Sequence, residues 1–185
     1  MKLIKFLIII FISLPSTIKA DLNENLTNKL KEGGKLIFIR HAIAPGGGDP
    51  ENFDINECHT QRNLDKNGKI QAKEIGNYLS SNNILIDKVI SSEWCRCKET
   101  ALLAFNKFET KSFLNSFYSS KFTKNKDRQI KELKMYIKNW ESKKNLVLVT
   151  HYVVISEALD FAPNSGEIVI SDKSFKKIGS IKTNY

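Results

Sequence analysis

The sequence predicts an α/β fold built on a mostly parallel central sheet, and three buried runs carry this prediction. Segments 35–39 and 146–149 have the continuous hydrophobic character of strands that are covered on both faces, and 86–90 (IDKVI) is interpreted as another buried strand. Helical patterns lie between them, and strands that alternate with helices favour a layered α/β arrangement. With 185 residues and no internal repeat, the chain is predicted to form one domain.

A Gly/Pro-rich loop and a helix are predicted after the first strand. Residues 44–50 (APGGGDP) are rich in turn formers. A helix is expected to begin after Asp65, whose side chain can cap it, because Ile70, Ile75 and Leu79 recur at helical spacing.

Another helix is predicted over 96–105, after the second strand. Ala101, Leu102 and Phe105 form its expected inner face.

Three more elements complete the predicted order. An amphipathic helix is expected over 130–140, and a shorter one over 156–161 after the third strand. The segments 167–171 and 175–181 are predicted to form a closing hairpin or two edge strands.

The first twenty residues have the pattern of a secretory signal peptide. A positive start with Lys2 and Lys5 precedes a short apolar run, and small residues follow up to Ala20. The run is shorter than the ~20 residues that span a bilayer. We expect cleavage after Ala20, which leaves a domain over 21–185 in the periplasm or outside the cell. An uncleaved membrane tether is the alternative.

The charge of +9 favours anionic partners. Three of these charges are lysines of the leader, which leaves +6 on the mature chain. A phosphorylated small molecule or an anionic envelope component fits this balance, although a general preference for lysine explains it as well. No aromatic-interleaved basic stripe indicates nucleic-acid binding.

Three cysteines are available in the mature chain. In an oxidising compartment Cys58 is expected to pair with either Cys95 or Cys97, which leaves one thiol. The Cys95-Arg-Cys97 spacing does not match a zinc or redox pair, so no metal site is predicted.

Polar residues follow all three predicted buried strands. Arg40 and His41 follow the first, Arg96 comes shortly after the second, and His151 follows the third. In open α/β sheets ligands bind beyond the carboxyl ends of the strands, so these side chains are expected to converge.

Two guanidiniums and two imidazoles in one place suit a phosphoryl group. Arginine matches phosphate oxygens in bidentate geometry, and fixed cations stabilise the charge of the transferring group. A neutral imidazole can attack phosphorus to give a covalent phosphohistidine. Taken singly, Arg40 and His41 could be a surface pair, Arg96 a helix-surface charge and His151 a core histidine. The hypothesis therefore depends on their common position, and His59 is interpreted as an ordinary loop residue.

The chain resembles the histidine phosphatase superfamily, also called phosphoglycerate mutase-like. Segment 38–42 (FIRHA) resembles the strand and Arg-His-Gly signature of that family. Three further segments resemble its later motifs in the same order: 63–72 (NLDKNGKIQA), 91–101 (SSEWCRCKETA) and 148–151 (LVTH).

The resemblance implies the roles of these residues. His41 would be the nucleophile, and Arg40, Arg96 and His151 would bind the phosphoryl group, with His151 donating to a developing oxyanion. The implied fold is a three-layer α/β/α sandwich, and no metal or other cofactor is implied.

The chain departs from the family pattern at two places. Ala42 replaces a glycine, which would be strained at positive φ. The glutamate that protonates alcohol leaving groups is missing, because 114–116 (LNS) occupies its place. Asp49 is our candidate proton donor, and the alternatives are Asp54, Glu57 and Asp127.

These observations predict an exported phosphomonoesterase of the histidine acid phosphatase type. An envelope sugar phosphate is the expected substrate by analogy with small exported relatives. An inactive relative that binds an anionic envelope component is the alternative, and a mutase is a third hypothesis.

Overall fold

The computed structural model describes residues 17–183, with side chains described from Asn23 onward. The predicted signal peptide lies mostly outside the described residues, and its expected cleavage point after Ala20 falls within the first helix. Export therefore stays a prediction. In the described part, no helix is both long and apolar enough to cross a membrane.

The elements follow one another in the predicted α/β order. In chain order they are α1 (Thr17–Glu32), β1 (Leu36–Arg40), α2 (Lys66–Ser81), β2 (Ile86–Ser91), α3 (Cys95–Phe105), β3 (Glu109–Thr110), α4 (Ser120–Thr123), α5 (Lys126–Lys138), β4 (Asn145–Thr150), α6 (Tyr152–Leu159), β5 (Ile168–Ser171) and β6 (Lys177–Ile181). Asp65 caps α2 as expected, since its carboxylate accepts a hydrogen bond from the Gly68 N–H.

The six strands form one sheet in the order β3-β2-β4-β1-β5-β6. β1, β2, β3 and β4 run parallel to one another, whereas β5 runs antiparallel to β1 and forms a hairpin with β6. The sheet is therefore mostly parallel, as predicted, with the expected closing hairpin at one edge.

Helices cover both faces of the sheet, so the molecule has the predicted three layers. On one face, alternate strand residues such as Phe38 and Leu148 pack with α5 and α6. On the other face, Ile39 and Val149 pack with α1, α2 and α3. Because side chains alternate along each strand, β1 and β4 contribute to both cores and are buried along almost their whole length. β2 is buried only at its carboxyl end, and its Asp87 and Lys88 are exposed, which corrects the prediction that 86–90 is buried throughout.

Several details differ from the sequence-based expectation. β3 and α4 were not predicted, and the helix predicted over 156–161 begins earlier, at Tyr152, and ends at Leu159. Helix α1 was not predicted, because its sequence is mostly polar and has a weak hydrophobic pattern. Its Leu26 and Leu30 pack on the sheet. Leu102 does not face inward: it is 50% exposed, while Cys97 and Ala101 form the buried face of α3. One helical step of about 100° separates Leu102 from that face.

Candidate active site

The ends of three parallel strands bring the predicted residues together. Arg40 pairs in register with Thr150, so His41 and His151 follow neighbouring strands at the same level. The backbone N–H of His41 donates to the Thr150 carbonyl at 2.9 Å, and the backbone N–H of Ser92 donates to the Val149 carbonyl at 2.9 Å. Backbone pairing thus continues past the strand ends and fixes where each side chain emerges.

His41 is buried and held in one tautomer. Its Nδ1 lies 2.8 Å from the Ala42 carbonyl, which can only accept, so Nδ1 carries the proton. Its Nε2 then has the lone pair and accepts from Arg96 Nε at 3.3 Å. Burial, followed by the charge of Arg96, lowers the pKa of His41 well below its usual value. A neutral imidazole with a fixed lone pair is the form that can act as a nucleophile.

Ala42 fits the place of the family's glycine without strain. Its φ is not positive, and its N–H donates to Thr100 Oγ1 at 3.0 Å. The following residue, Ile43, lies against the start of α2, where a Cβ on Gly68 would come within 2.0 Å of the Ile43 carbonyl oxygen. A glycine at 68 therefore allows the chain after the nucleophile to approach α2 closely.

Arg40 is held from two sides and keeps one donor free. Its Nη1 donates to the Pro163 carbonyl at 2.9 Å, and its guanidinium lies 5.3 Å from the centre of the Tyr152 ring. Its Nε is buried and has no hydrogen-bond partner among the described residues. A buried donor without a partner is costly, and an oxyanion bound in the cleft could satisfy it.

Arg96 forms a two-pronged ion pair with Asp49. Nη1 and Nη2 lie 2.7 and 3.2 Å from the two carboxylate oxygens, which also accept from Trp94 Nε1 and from the Arg62 N–H. Burial alone would raise the pKa of Asp49, but the hydrogen bonds and charge of Arg96 outweigh it and hold the pKa below its usual value. Asp49 is therefore a carboxylate in this arrangement.

His151 is oriented by a chain of hydrogen bonds that the sequence did not reveal. The side-chain NH2 of Asn115 donates to the Glu93 carboxylate at 2.6 Å. The side-chain oxygen of Asn115 therefore faces Ser92 and accepts from its hydroxyl at 3.0 Å. Because the hydroxyl hydrogen goes to Asn115, Ser92 Oγ accepts from His151 Nε2 at 3.0 Å. Burial and the charge of Arg96 also lower the pKa of His151 well below its usual value.

Arg62 was not recognised from the sequence, although it directly precedes the 63–72 motif. Its guanidinium donates to the carbonyl oxygens of Ala44, Gly46 and Gly48, so the loop wraps around it. Gly46 and Gly48 have φ values of 95° and 73°, which other residues rarely adopt. Arg62 thereby fixes the loop that carries Asp49.

A disulfide joins Cys58 to Cys95 and so settles which of the two predicted pairings is formed. Cys95 is the first residue of α3 and directly precedes Arg96. The remaining thiol, Cys97, is buried, and this burial raises its pKa to about 12. A thiol with so high a pKa is a poor nucleophile.

The alternative proton donors lie away from His41. Glu57 is exposed beside His59, whose Nδ1 is 3.4 Å from its carboxylate, and Asp127 is exposed on α5. Asp54 lines a neighbouring groove instead. Within residues 17–183 no group of three His, Cys, Asp or Glu side chains could hold a metal ion.

The five predicted site residues line one cleft of about 370 Å³. They are Arg40, His41, Asp49, Arg96 and His151, and Arg62, Trp94 and Tyr152 line it as well. The geometry gathers cations around a neutral imidazole, which is an arrangement that can bind a phosphoryl group and attack it.

Two curated phosphatases are similar to this chain in sequence. It is 33% identical over 90 residues to the serine/threonine-protein phosphatase Pgam5, mitochondrial, of Drosophila mojavensis, which covers 49% of this chain and 27% of that protein. It is 31% identical over 85 residues to the broad-specificity phosphatase YOR283W of Saccharomyces cerevisiae, which covers 46% and 35%. The alignments span well under half of either relative. No family model matches the chain.

Solved structures show the same fold at low sequence identity. The protein histidine phosphatase SixA complexed with tungstate superposes with a TM-score of 0.54 over 78% of this chain and 93% of that one, at 15% identity. TTHB049 from Thermus thermophilus gives a TM-score of 0.57 over 81% and 99%, at 16% identity. In its fold, in its strand-end histidines and arginines and in its two phosphatase relatives, the chain is similar to the histidine phosphatase superfamily, which is phosphoglycerate mutase-like.

Proposed function

We propose that the protein is an exported phosphomonoesterase of the histidine acid phosphatase type, which hydrolyses a phosphate ester through a phosphohistidine on His41. The observation that carries this proposal is the geometry at His41: a neutral ring, its Nε2 lone pair beside Arg96, and Arg40, whose Nε has no partner among the described residues, lining the same cleft. Cations around a neutral imidazole support the proposed attack on phosphorus.

In the proposed reaction, His41 Nε2 forms a bond to phosphorus while the bond from phosphorus to the leaving oxygen breaks. The electron pair of that bond goes to the leaving oxygen. Arg40 and Arg96 bind the charged phosphoryl oxygens throughout. His151 is proposed to donate a hydrogen bond to the same oxygens. Its single N–H goes to Ser92 in this arrangement, so the ring has to take up a second proton, on Nδ1, when the phosphoryl charge enters the cleft and raises its pKa. Water then attacks the phosphohistidine, which releases inorganic phosphate and restores neutral His41.

The proton for an alcohol leaving group is proposed to come from Asp49. Its position in the cleft supports this role, while its ion pair with Arg96 opposes it. Asp49 is a carboxylate in this arrangement, so to act as an acid it has to separate from Arg96 when the substrate binds and take up a proton from water. The phosphoryl charge would then raise its pKa and favour this protonation.

The proposed substrate is a phosphorylated small molecule or envelope component. An envelope sugar phosphate is the candidate, because the first twenty residues have the pattern of a signal peptide and thus predict export. The second candidate function is binding of an anionic envelope component without turnover. The ion-paired state of Asp49 favours this alternative, because no neutral carboxyl group is ready beside His41.

Hydrolysis of p-nitrophenyl phosphate separates these functions, because this leaving group needs no acid. We expect turnover by the wild type and by His59→Ala, a control at an exposed histidine, and a loss of more than a thousandfold in His41→Ala. Equal inactivity of wild type and His41→Ala, with retained phosphate binding, would favour the binding function. Mature protein that starts at Asp21 would support the predicted export.

A further inference from the structure

We infer that the cleft selects phosphate esters of aromatic alcohols, that is, aryl phosphomonoesters. The inference rests on the proposed phosphatase function, and within that function it favours an aryl phosphate over the sugar phosphate named above. Two sets of aromatic rings at the mouth of the cleft and the hydrogen bonding of the nearby carboxylates carry it.

The first set of rings is formed by Tyr118 and Tyr152. Their ring centres lie 5.8 Å apart at 59°, and both residues line the cleft. Tyr152 is also the residue on which the Arg40 guanidinium lies, so it borders the phosphoryl site directly. Tyr118 is 61% exposed, which leaves much of its ring surface accessible for stacking.

The second set is formed by Phe53, Trp94 and Phe122. Their ring centres lie 5.0 to 5.6 Å from one another, so the three rings support each other as one wall. Trp94 contacts the His151 ring at 5.4 Å and donates to Asp49. Aromatic rings thus border the cleft close to the site of phosphoryl transfer.

Two carboxylates line the cleft, and neither is a neutral acid held beside His41. Asp49 is bound by Arg96. Glu51 is exposed on the loop. A phenol is a better leaving group than an alkyl alcohol, because its oxygen can depart as an aryloxide without first taking a proton. The attack of His41 Nε2 then balances without an acid, and water protonates the aryloxide afterwards.

A sugar phosphate would require other features at this mouth. Sugar hydroxyls need hydrogen-bonding partners, and a site without them pays the desolvation cost of those groups. Beyond the proposed phosphate-binding residues, polar groups come from Glu51, Ser116, Ser119 and Lys121 and from two tyrosine hydroxyls, whereas five aromatic rings line the cleft. The lining therefore favours an aromatic leaving group.

The test compares kcat/KM for three substrates: phenyl phosphate, acetyl phosphate and glucose 6-phosphate. Acetyl phosphate has a good leaving group but no ring, so it separates stacking from leaving-group reactivity. We expect the ratio of phenyl to acetyl phosphate to fall about two- to tenfold in Tyr118→Ala and to be retained in Tyr118→Phe. Leu85→Ala, at an exposed apolar residue that precedes the amino end of β2 and does not line the cleft, should leave all three values unchanged.

An unchanged ratio in Tyr118→Ala would overturn the inference. So would a kcat/KM for glucose 6-phosphate that equals or exceeds the value for phenyl phosphate in the wild type. These outcomes leave the proposed phosphatase function intact. If the wild type hydrolyses none of the three substrates, the proposed function itself fails.

Discussion

Asp49 and Arg96 form a bidentate ion pair inside the cleft, although 47 residues separate them in the sequence. The carboxylate occupies two guanidinium donors that a phosphoryl group would also use. Asp49 therefore competes with the ligand for Arg96, and this competition is measurable.

Replacing Asp49 with asparagine should weaken the fold and strengthen phosphate binding. Arg96 would lose its counter-charge while its side chain stays 4% exposed, so we expect a loss of about 2 to 3 kcal/mol in the free energy of unfolding. Affinity for inorganic phosphate should rise about tenfold, because one negative charge leaves the site. Thermal unfolding with and without phosphate measures both effects. Asp127→Asn is the exposed control, and an equal phosphate-induced stabilisation of wild type and Asp49→Asn would contradict the competition.

Removing the hydroxyl of Ser92 should impair catalysis without unfolding the protein. Ser92 Oγ accepts from His151 Nε2 and fixes the orientation of that ring. We expect Ser92→Ala to lower kcat/KM about tenfold, since the loss of one positioning hydrogen bond costs about 1 to 2 kcal/mol. Steady-state kinetics measures the change, and Ser80→Ala, at an exposed serine of α2, is the matched control. Wild-type kcat/KM in Ser92→Ala would exclude this positioning role.

Stability should fall as the pH drops below about 6.5, the ordinary pKa of histidine. Burial and the charge of Arg96 lower the pKa of both His41 and His151, so the unfolded chain takes up these protons at a higher pH than the folded chain. Each group then costs about 1.4 kcal/mol per pH unit until its folded pKa is reached, and above pH 6.5 the effect vanishes.

Denaturant unfolding at pH 7.5 and pH 5.0 measures this dependence. His41→Asn should reduce the difference between the two pH values, whereas His59→Ala should not, because His59 is exposed. The same pH difference in His41→Asn and wild type would show that His41 is not the buried neutral ring described above.

The disulfide should contribute to both stability and activity. It closes a loop of 37 residues, for which chain entropy gives about 3 to 4 kcal/mol. Cys58→Ser should lower the free energy of unfolding by this amount. It should also lower kcat/KM, because Cys95 directly precedes Arg96 and the disulfide holds this end of α3. Thiol titration of the denatured, unreduced protein should find one free cysteine. Three free thiols would contradict the pairing.

The strand-end residues were predictable because their positions depend on local pattern and sheet topology alone. Buried runs located β1, β2 and β4, and parallel strands bring their carboxyl ends to one edge of the sheet. Arg40, His41, Arg96 and His151 therefore had to meet once those strands were recognised.

The partners of these residues could not be predicted in the same way. Asn115 acts on His151 through Ser92, and Arg62 binds carbonyl oxygens of a loop 14 to 18 residues earlier in the chain. Such contacts depend on loop conformation, which has no periodic signal in the sequence. For the same reason Asp49 could be named as a site residue, whereas its ion pair with Arg96 could not.

Trapping the covalent intermediate tests the central proposal most directly. The protein is mixed briefly with a phosphate-labelled aryl phosphate, quenched in alkali and digested, and the labelled peptide is identified. We predict an acid-labile, alkali-stable label on the peptide that contains His41, and its absence in His41→Ala. A label on another residue, or rapid hydrolysis that persists in His41→Ala, would contradict the proposed mechanism.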